Sequence, residues 1–439
     1  MKKQEKSKIE NLNKKKNIII PNDEKGITLI ALVITIIVLI ILAGISISLV
    51  LGENGTITKA KQAKTETEQA EQNEEIGLNE TSKYIEEMGA SGGTTNPPET
   101  IKTVEEVKGG DYFEKPTTVK DSNGNLIKVP EGFKIAEDSG INVTEGIVIE
   151  DNDIITGIGN NRGNQYVWVP VGTGIKKADG TTVDITLGRY AFANGTSDKD
   201  SSGNVLTKGT PILQQSAENY TQEVVINSYF KELTVSRTGV VSSSIGGLNT
   251  TALNLKGFID SVKANGGYYI ARYEASYGTD GKVNSKVSIG TPATSSSTTK
   301  TEGMLWNFIT QIDSATASRG LYTTATTDLI NSYAWDTAIV YIQNFSGDAD
   351  YSYQDGKSIN SSLTNTGANG DEVCKINDMA SNNWEWTTEY STSTYRSNVY
   401  PCTVRGGYYN YSNYYTSSRG EFYATSSDVF LTFRPTLYM

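Results

Sequence analysis

Histidine is absent from all 439 residues. That absence excludes a Ser-His-Asp triad, imidazole zinc sites and any histidine general base. Cysteine is scarce as well, with Cys374 and Cys402 the two in the chain. In an exported protein such a pair can close a disulfide, the alternative being two buried thiols, and with no further soft ligand it makes a poor metal site. Hydrophobic residues reach 37%. Gly, Ser, Thr, Asn and Tyr fill the difference, as expected of loop-rich or β-rich modules. A net charge of −11 lacks the basic excess that releases counterions from nucleic acid, so no nucleic-acid partner is expected. No internal period of roughly 20–50 residues is present, which argues against a repeat fold.

Against this polar background stands one charge-free apolar run, Ile27 to Leu51, interrupted only by Thr28, Thr35, Gly44, Ser46 and Ser48. At about 1.5 Å per residue it is long enough to cross a hydrocarbon core of ~30 Å. Residues 1–26 carry eight Lys against four acidic residues, so the positive-inside rule places them in the cytoplasm and the rest of the chain outside. The stretch "KGITLIALVITIIVLIILAGISI" resembles the N-terminus of type IV prepilins and pseudopilins. The resemblance implies a prepilin peptidase that cuts after Gly26 and methylates Ile27, and pilus or secretion assembly proteins as partners. Ala31 stands where most pilins carry Glu, whose carboxylate neutralises the neighbouring subunit's amino terminus, and this puts polymerisation in question.

The organisation expected is then a leader (1–26), a transmembrane helix (27–51), a helical stalk (52–88), a Gly/Ser/Thr/Pro linker (89–100), a small β region (101–159) and a larger domain (160–439) with an insertion at 173–255. The stalk reads equally as a continuation of the pilin helix or as a plain juxtamembrane spacer. One helix is expected near Asn219–Leu233, another at Gly257–Ala264 stopped by Gly266-Gly267, and a third where apolar residues recur at helical spacing from Leu329 to Ile342.

Three motifs follow in order near the end: "INDMASNNWEWTTE" (Ile376–Glu389), "VRGGYYNYSNYYTSSR" (Val404–Arg419) and "FLTFRPTLY" (Phe430–Tyr438). With "YVWVPVG" and "YYIARYEAS" upstream, they resemble the formylglycine-generating-enzyme (sulfatase-modifying factor) family over about residues 160–439. The resemblance implies a C-type-lectin-like domain, loop-rich with small twisted sheets, and the whole chain is expected to be α+β with a long N-terminal helix. It implies Ca²⁺ held by Asp378 and Glu385 with backbone oxygens of Ser381 and Asn383, where Ser381 replaces the usual glycine. Two carboxylates with carbonyls are the hard oxygen ligands that Ca²⁺ prefers. Trp384, Trp386, Arg405 and Arg434 read as scaffold: alternation sends both indoles to one side of a strand and Glu385 to the other.

The enzymes of that family hold copper with a cysteine pair after R-G-G. Here that stretch contains no cysteine, so a non-catalytic relative is expected. From Tyr408 to Ser427, 15 of 20 residues are Tyr, Ser, Thr or Asn. Tyrosine gives rigid amphipathic area and Asn or Ser adaptable hydrogen bonds, a vocabulary shared with antibody paratopes. The enrichment also resembles the variable targets of diversity-generating retroelements. Tyr408, Tyr409, Asn410, Tyr411, Asn413, Tyr414 and Tyr415 are therefore the candidate ligand-binding residues, for an external protein or glycan in an adhesion or recognition role. A minor pseudopilin role and a surface enzyme are the alternatives.

Overall fold

The computed structural model describes residues 100–153, 162–222, 224–227, 229–232, 250–368, 370–395 and 398–439. Gly26, Ile27 and the segments expected as membrane helix and stalk lie outside the described residues. Among the described residues no helix is long and apolar enough to cross a membrane. The longest, Ser332–Phe345, has 14 residues, about 21 Å against a hydrocarbon core of ~30 Å. Strands dominate these residues and helices are few and short. The α+β expectation with a long N-terminal helix, and with it a single-pass membrane protein, is corrected accordingly: regular structure here comes from β pairing between distant segments.

Early strands are β1 (Phe133–Ile135), β2 (Val148–Asp151) and β3 (Gln165–Pro170), then the hairpin β4 (Gly188–Phe192) and β5 (Pro211–Ser216), then β6 (Phe230–Lys231). Helix α1 (Leu255–Asn265), β7 (Gly267–Ala271), α2 (Gln311–Ser318), β8 (Thr326–Leu329) and α3 (Ser332–Phe345) follow. The motif-rich stretch supplies β9 (Trp384–Ser391), β10 (Cys402–Arg405), β11 (Arg419–Phe422), β12 (Leu431–Phe433) and β13 (Pro435–Tyr438).

A six-stranded sheet runs in the order β8-β13-β7-β3-β2-β1, all antiparallel. Its strand β3 reads Gln-Tyr-Val-Trp-Val-Pro and is buried at every position, the pattern of a β-rich interior strand covered on both faces. Because β1 and β2 belong to this sheet together with β3, the expected boundary at residue 159 does not divide the structure. Residues 100–439 are one compact unit.

A second sheet runs β6-β9-β10-β11, with β12 joining β9 in parallel. Each sheet has its own apolar cluster: one gathers around β3, β7, α1 and α3, the other around β9, β10, β12 and the indoles of Trp384 and Trp386.

The helices start and stop where local chemistry dictates. Asn254 caps α1 by accepting from the Gly257 amide, and Gly266 ends it at φ 73, a left-handed position that glycine adopts without a Cβ penalty. Asn331 caps α3 by accepting from the Ala334 amide at 2.9 Å. All but one residue of α3 are buried. The helix expected near Asn219–Leu233 is replaced by one 3-10 turn (Ala217–Asn219), a turn at Asn227 with φ 51, and β6. A left-handed residue in mid-segment breaks the helical run.

Candidate functional site

Strand β9 separates two environments. On one side Trp386 donates from Nε1 to the Ile309 carbonyl at 2.9 Å and is fully buried. Trp384, 7% exposed, meets Tyr408, Tyr414, Phe422 and Phe430 edge-on at centroid distances of 4.9, 4.6, 5.3 and 6.2 Å. On the other side Glu385 receives Arg434, whose Nε donates to Oε2 at 2.6 Å and whose Nη2 donates to Oε1. Arg434 also donates to the carbonyls of Ala271 and Asn377 at 3.1 and 2.9 Å, tying three segments together.

Of the four residues expected to hold Ca²⁺, the two carboxylates already have protein partners. Both oxygens of Glu385 face Arg434, so a guanidinium supplies the positive charge there. Asp378 accepts from Thr366 Oγ1 at 2.7 Å and the Gly367 amide at 2.6 Å, and Ser381 donates its hydroxyl to Asp371 at 2.5 Å. Among the described residues no group of three or more Cys, Asp or Glu is placed to hold a metal. Burial, and then Asp371, push Asp378 up to about 7, while burial with Asp378 and Glu385 raises Glu274 well above the carboxylate range. The acidic side chains are thus met by hydroxyl and amide donors and by one arginine. Ser381 in the glycine position is not strained, since the left-handed residues of the segment are Asp378 (φ 60) and Asn382 (φ 59). Asp and Asn tolerate that region better than other side chains.

Between β10 and β11 lies the Tyr-rich loop. Its entry is Arg405-Gly406-Gly407. Gly406 has φ +86, and a Cβ on Gly407 would stand 2.6 Å from the Tyr414 carbonyl and 2.7 Å from that of Ala380. Only glycine permits the loop to double back this tightly. Its exit is pinned by Trp335 Nε1 to the Thr416 carbonyl at 3.0 Å, Thr416 Oγ1 to Tyr351 at 2.9 Å and Ser417 Oγ to Ser352 at 2.7 Å.

Beneath that exit sits a fully buried ion network. Arg405 donates to Asp336 at 2.5 Å and to the Ser418 carbonyl at 3.0 Å. Arg419 pairs with Asp336 at 2.6 Å and Glu389 at 3.0 Å, and Arg189 reaches Glu389 at 2.8 Å. Burial would raise the Glu389 carboxyl, but Arg419, Arg189 and Arg405 around it hold it down at about 2. Sequence reasoning named Arg405 and missed Asp336, Glu389 and Arg189. Glu389 carried a usable signal, because it lies four residues beyond Glu385 on the same strand.

At the tip the side chains emerge. Asn410, Tyr411 and Asn413 are exposed, Tyr408, Tyr409, Tyr414 and Tyr415 partly so. Tyr411, 56% exposed, lies nearly parallel to Tyr408 at 6.2 Å, and Tyr408 rests on Trp384. Rings continue downward to Phe422 and Phe430. The loop is therefore an aromatic stack with a buried base and an open top.

Cys374 and Cys402 do not bridge, which corrects the disulfide expectation. They belong to different apolar clusters; the Cys374 thiol faces the Thr144 carbonyl at 3.7 Å and the Cys402 thiol faces Gln311 Oε1 at 3.7 Å. Burial pushes Cys374 up to about 12, leaving it an inert thiol.

No family model matches the chain, and no curated protein does. The prepilin and formylglycine-generating-enzyme resemblances therefore stand without family-level support. Among solved structures, the Major Tropism Determinant U1 variant aligns at 13% identity and a TM-score of 0.27, over 74% of this chain and 81% of that one. A likeness that slight leaves the function to be argued from the site.

Proposed function

We propose that residues 100–439 form a non-catalytic, lectin-like recognition domain that binds an external ligand through the Tyr-rich loop between β10 and β11. One observation carries this reading: Tyr411 is held 56% exposed on a stack of ordered rings while both ends of its loop are pinned into the core. Leaving an aromatic ring in water is unfavourable for a fold that could bury it, and a rigid presented ring binds with little ordering cost. The absence of histidine from the chain and of cysteine from the loop supports a binding role over an enzymatic one.

The test is capture. The full chain, immobilised and exposed to arrays of surface proteins and glycans, is expected to retain a ligand that Tyr411→Ala loses by about tenfold or more, with an unchanged melting temperature. Capture unaffected by Tyr411→Ala would move the site elsewhere. No aldehyde is expected when the chain is incubated with copper and a sulfatase-type cysteine peptide; mass-spectrometric appearance of formylglycine would replace this reading with an enzymatic one.

A further inference from the structure

The loop has a flank as well as a tip. Residues 413–415 and 417–419 close a cleft of about 350 Å³ against Phe192 of β4, Asn227 and Tyr353. We propose that this cleft is a saccharide subsite that takes one neutral sugar ring; it rests on the recognition role above and names the ligand class.

Three observations point to that chemistry. First, the cleft has an aromatic corner: the Tyr353 and Tyr415 rings are 5.2 Å apart and inclined at 52°. Tyr353 is fixed there by donating its hydroxyl to the Phe192 carbonyl at 3.0 Å. The C–H face of a pyranose packs on such rings, whose π faces are electron-rich.

Second, the polar groups are of the neutral, two-way kind. Asn227 and Asn413 both adopt left-handed backbone, φ 51 and φ 70, and both line the cleft. A side-chain amide offers a donor and an acceptor side by side, which matches adjacent hydroxyls on a sugar. Ser418 Oγ accepts from the Tyr415 amide at 2.8 Å, so its own proton is available to donate.

Third, the cleft has no charge to offer. Arg419 is its one charged lining residue, and that guanidinium is spent on Glu389, Asp336 and, at 3.4 Å, the Tyr190 carbonyl. Lys208, whose ammonium lies 4.9 Å over the Tyr353 ring, pairs with Asp350 at 3.5 Å, so among the lining residues an anion finds no uncommitted cation and a cationic ligand no carboxylate. The volume lies at the small end of ligand sites, suited to one ring with its neighbours projecting into solvent.

Saturation-transfer NMR on the full chain tests this, using the methyl glycosides of glucose, galactose, mannose and N-acetylglucosamine as probes, with glucose 6-phosphate and N-acetylneuraminic acid as anionic controls. Transfer is expected to the ring C–H protons of at least one neutral glycoside and to neither anion. Tyr415→Ala and Asn413→Gly should each weaken it about tenfold. The glycine variant removes the amide while keeping the left-handed backbone relaxed, so it serves even if Tyr415→Ala unfolds the loop. Silence from every neutral glycoside, a preference for the anions, or a signal untouched by Asn413→Gly overturns the subsite. If Tyr411→Ala abolishes capture while no glycoside responds, the recognition face stands and the subsite falls; if capture also ignores Tyr411, both fall.

Discussion

Glu232 shows how one side chain makes folding respond to pH. Its carboxylate accepts from the Ser332 amide at 2.8 Å and hydroxyl at 2.7 Å, at the start of α3, and from Thr388 Oγ1 at 2.8 Å. Burial nevertheless outweighs these bonds and Arg189, raising the group from 4.5 to about 7. The folded chain thus holds a proton that the unfolded chain has released between those values. This contribution to stability is complete below pH 4.5 and is lost as pH rises through 7, by on the order of 3 kcal/mol at most. Glu389, held near 2, acts in the opposite sense: its contribution is present above 4.5 and lost as pH falls toward 2. Urea melts of the full chain should therefore gain stability from pH 8 to about 5, and Glu232→Gln should flatten that slope. An unchanged slope in the variant would remove Glu232 from the account.

At the scale of elements, the two glycines and three arginines around β10 and β11 decide whether the loop is presented at all. Gly407→Ala places a methyl against two carbonyls at 2.6 and 2.7 Å, neither of which can yield without moving backbone. A loss of about 2–4 kcal/mol in denaturant melts is expected, with near-ultraviolet circular dichroism altered for the loop tyrosines. Arg419→Met leaves Asp336 and Glu389 short of one buried cation, at a cost of about 3–5 kcal/mol. Much of this element was legible beforehand. W-E-W announced a strand with two faces, and the clustering of tyrosines after R-G-G pointed to the loop. What escaped was every contact between segments distant in sequence: Arg189 finds Glu389 across 200 positions, and no periodicity encodes such a pairing. The surroundings of the expected calcium residues escaped for the same reason. Asp378 and Glu385 were visible as a pair, but the guanidinium that satisfies Glu385 belongs to Arg434, 49 residues away.

On the scale of the whole molecule, the two sheets and their clusters share elements closely enough that residues 100–439 should unfold together. A single coincident transition by fluorescence and far-ultraviolet circular dichroism is expected, and two separated transitions would show independent halves. Chelation should leave that midpoint in place, since a calcium ion bound at a hundredfold excess over its Kd would have contributed about 3 kcal/mol.

The place of β13 carries a further consequence. It is an interior strand of the large sheet, wedged between β7 and β8, yet it is the last of these strands to leave the ribosome. At about 5–20 residues per second, β7 waits on the order of ten seconds or more for the neighbour that completes its sheet. During that interval the open side of β7 is an unprotected edge, inviting pairing with the same strand on an adjacent nascent chain. The yield of correctly folded molecules should therefore depend on the spacing of ribosomes along the message and on holding chaperones, more than on the final stability of the fold.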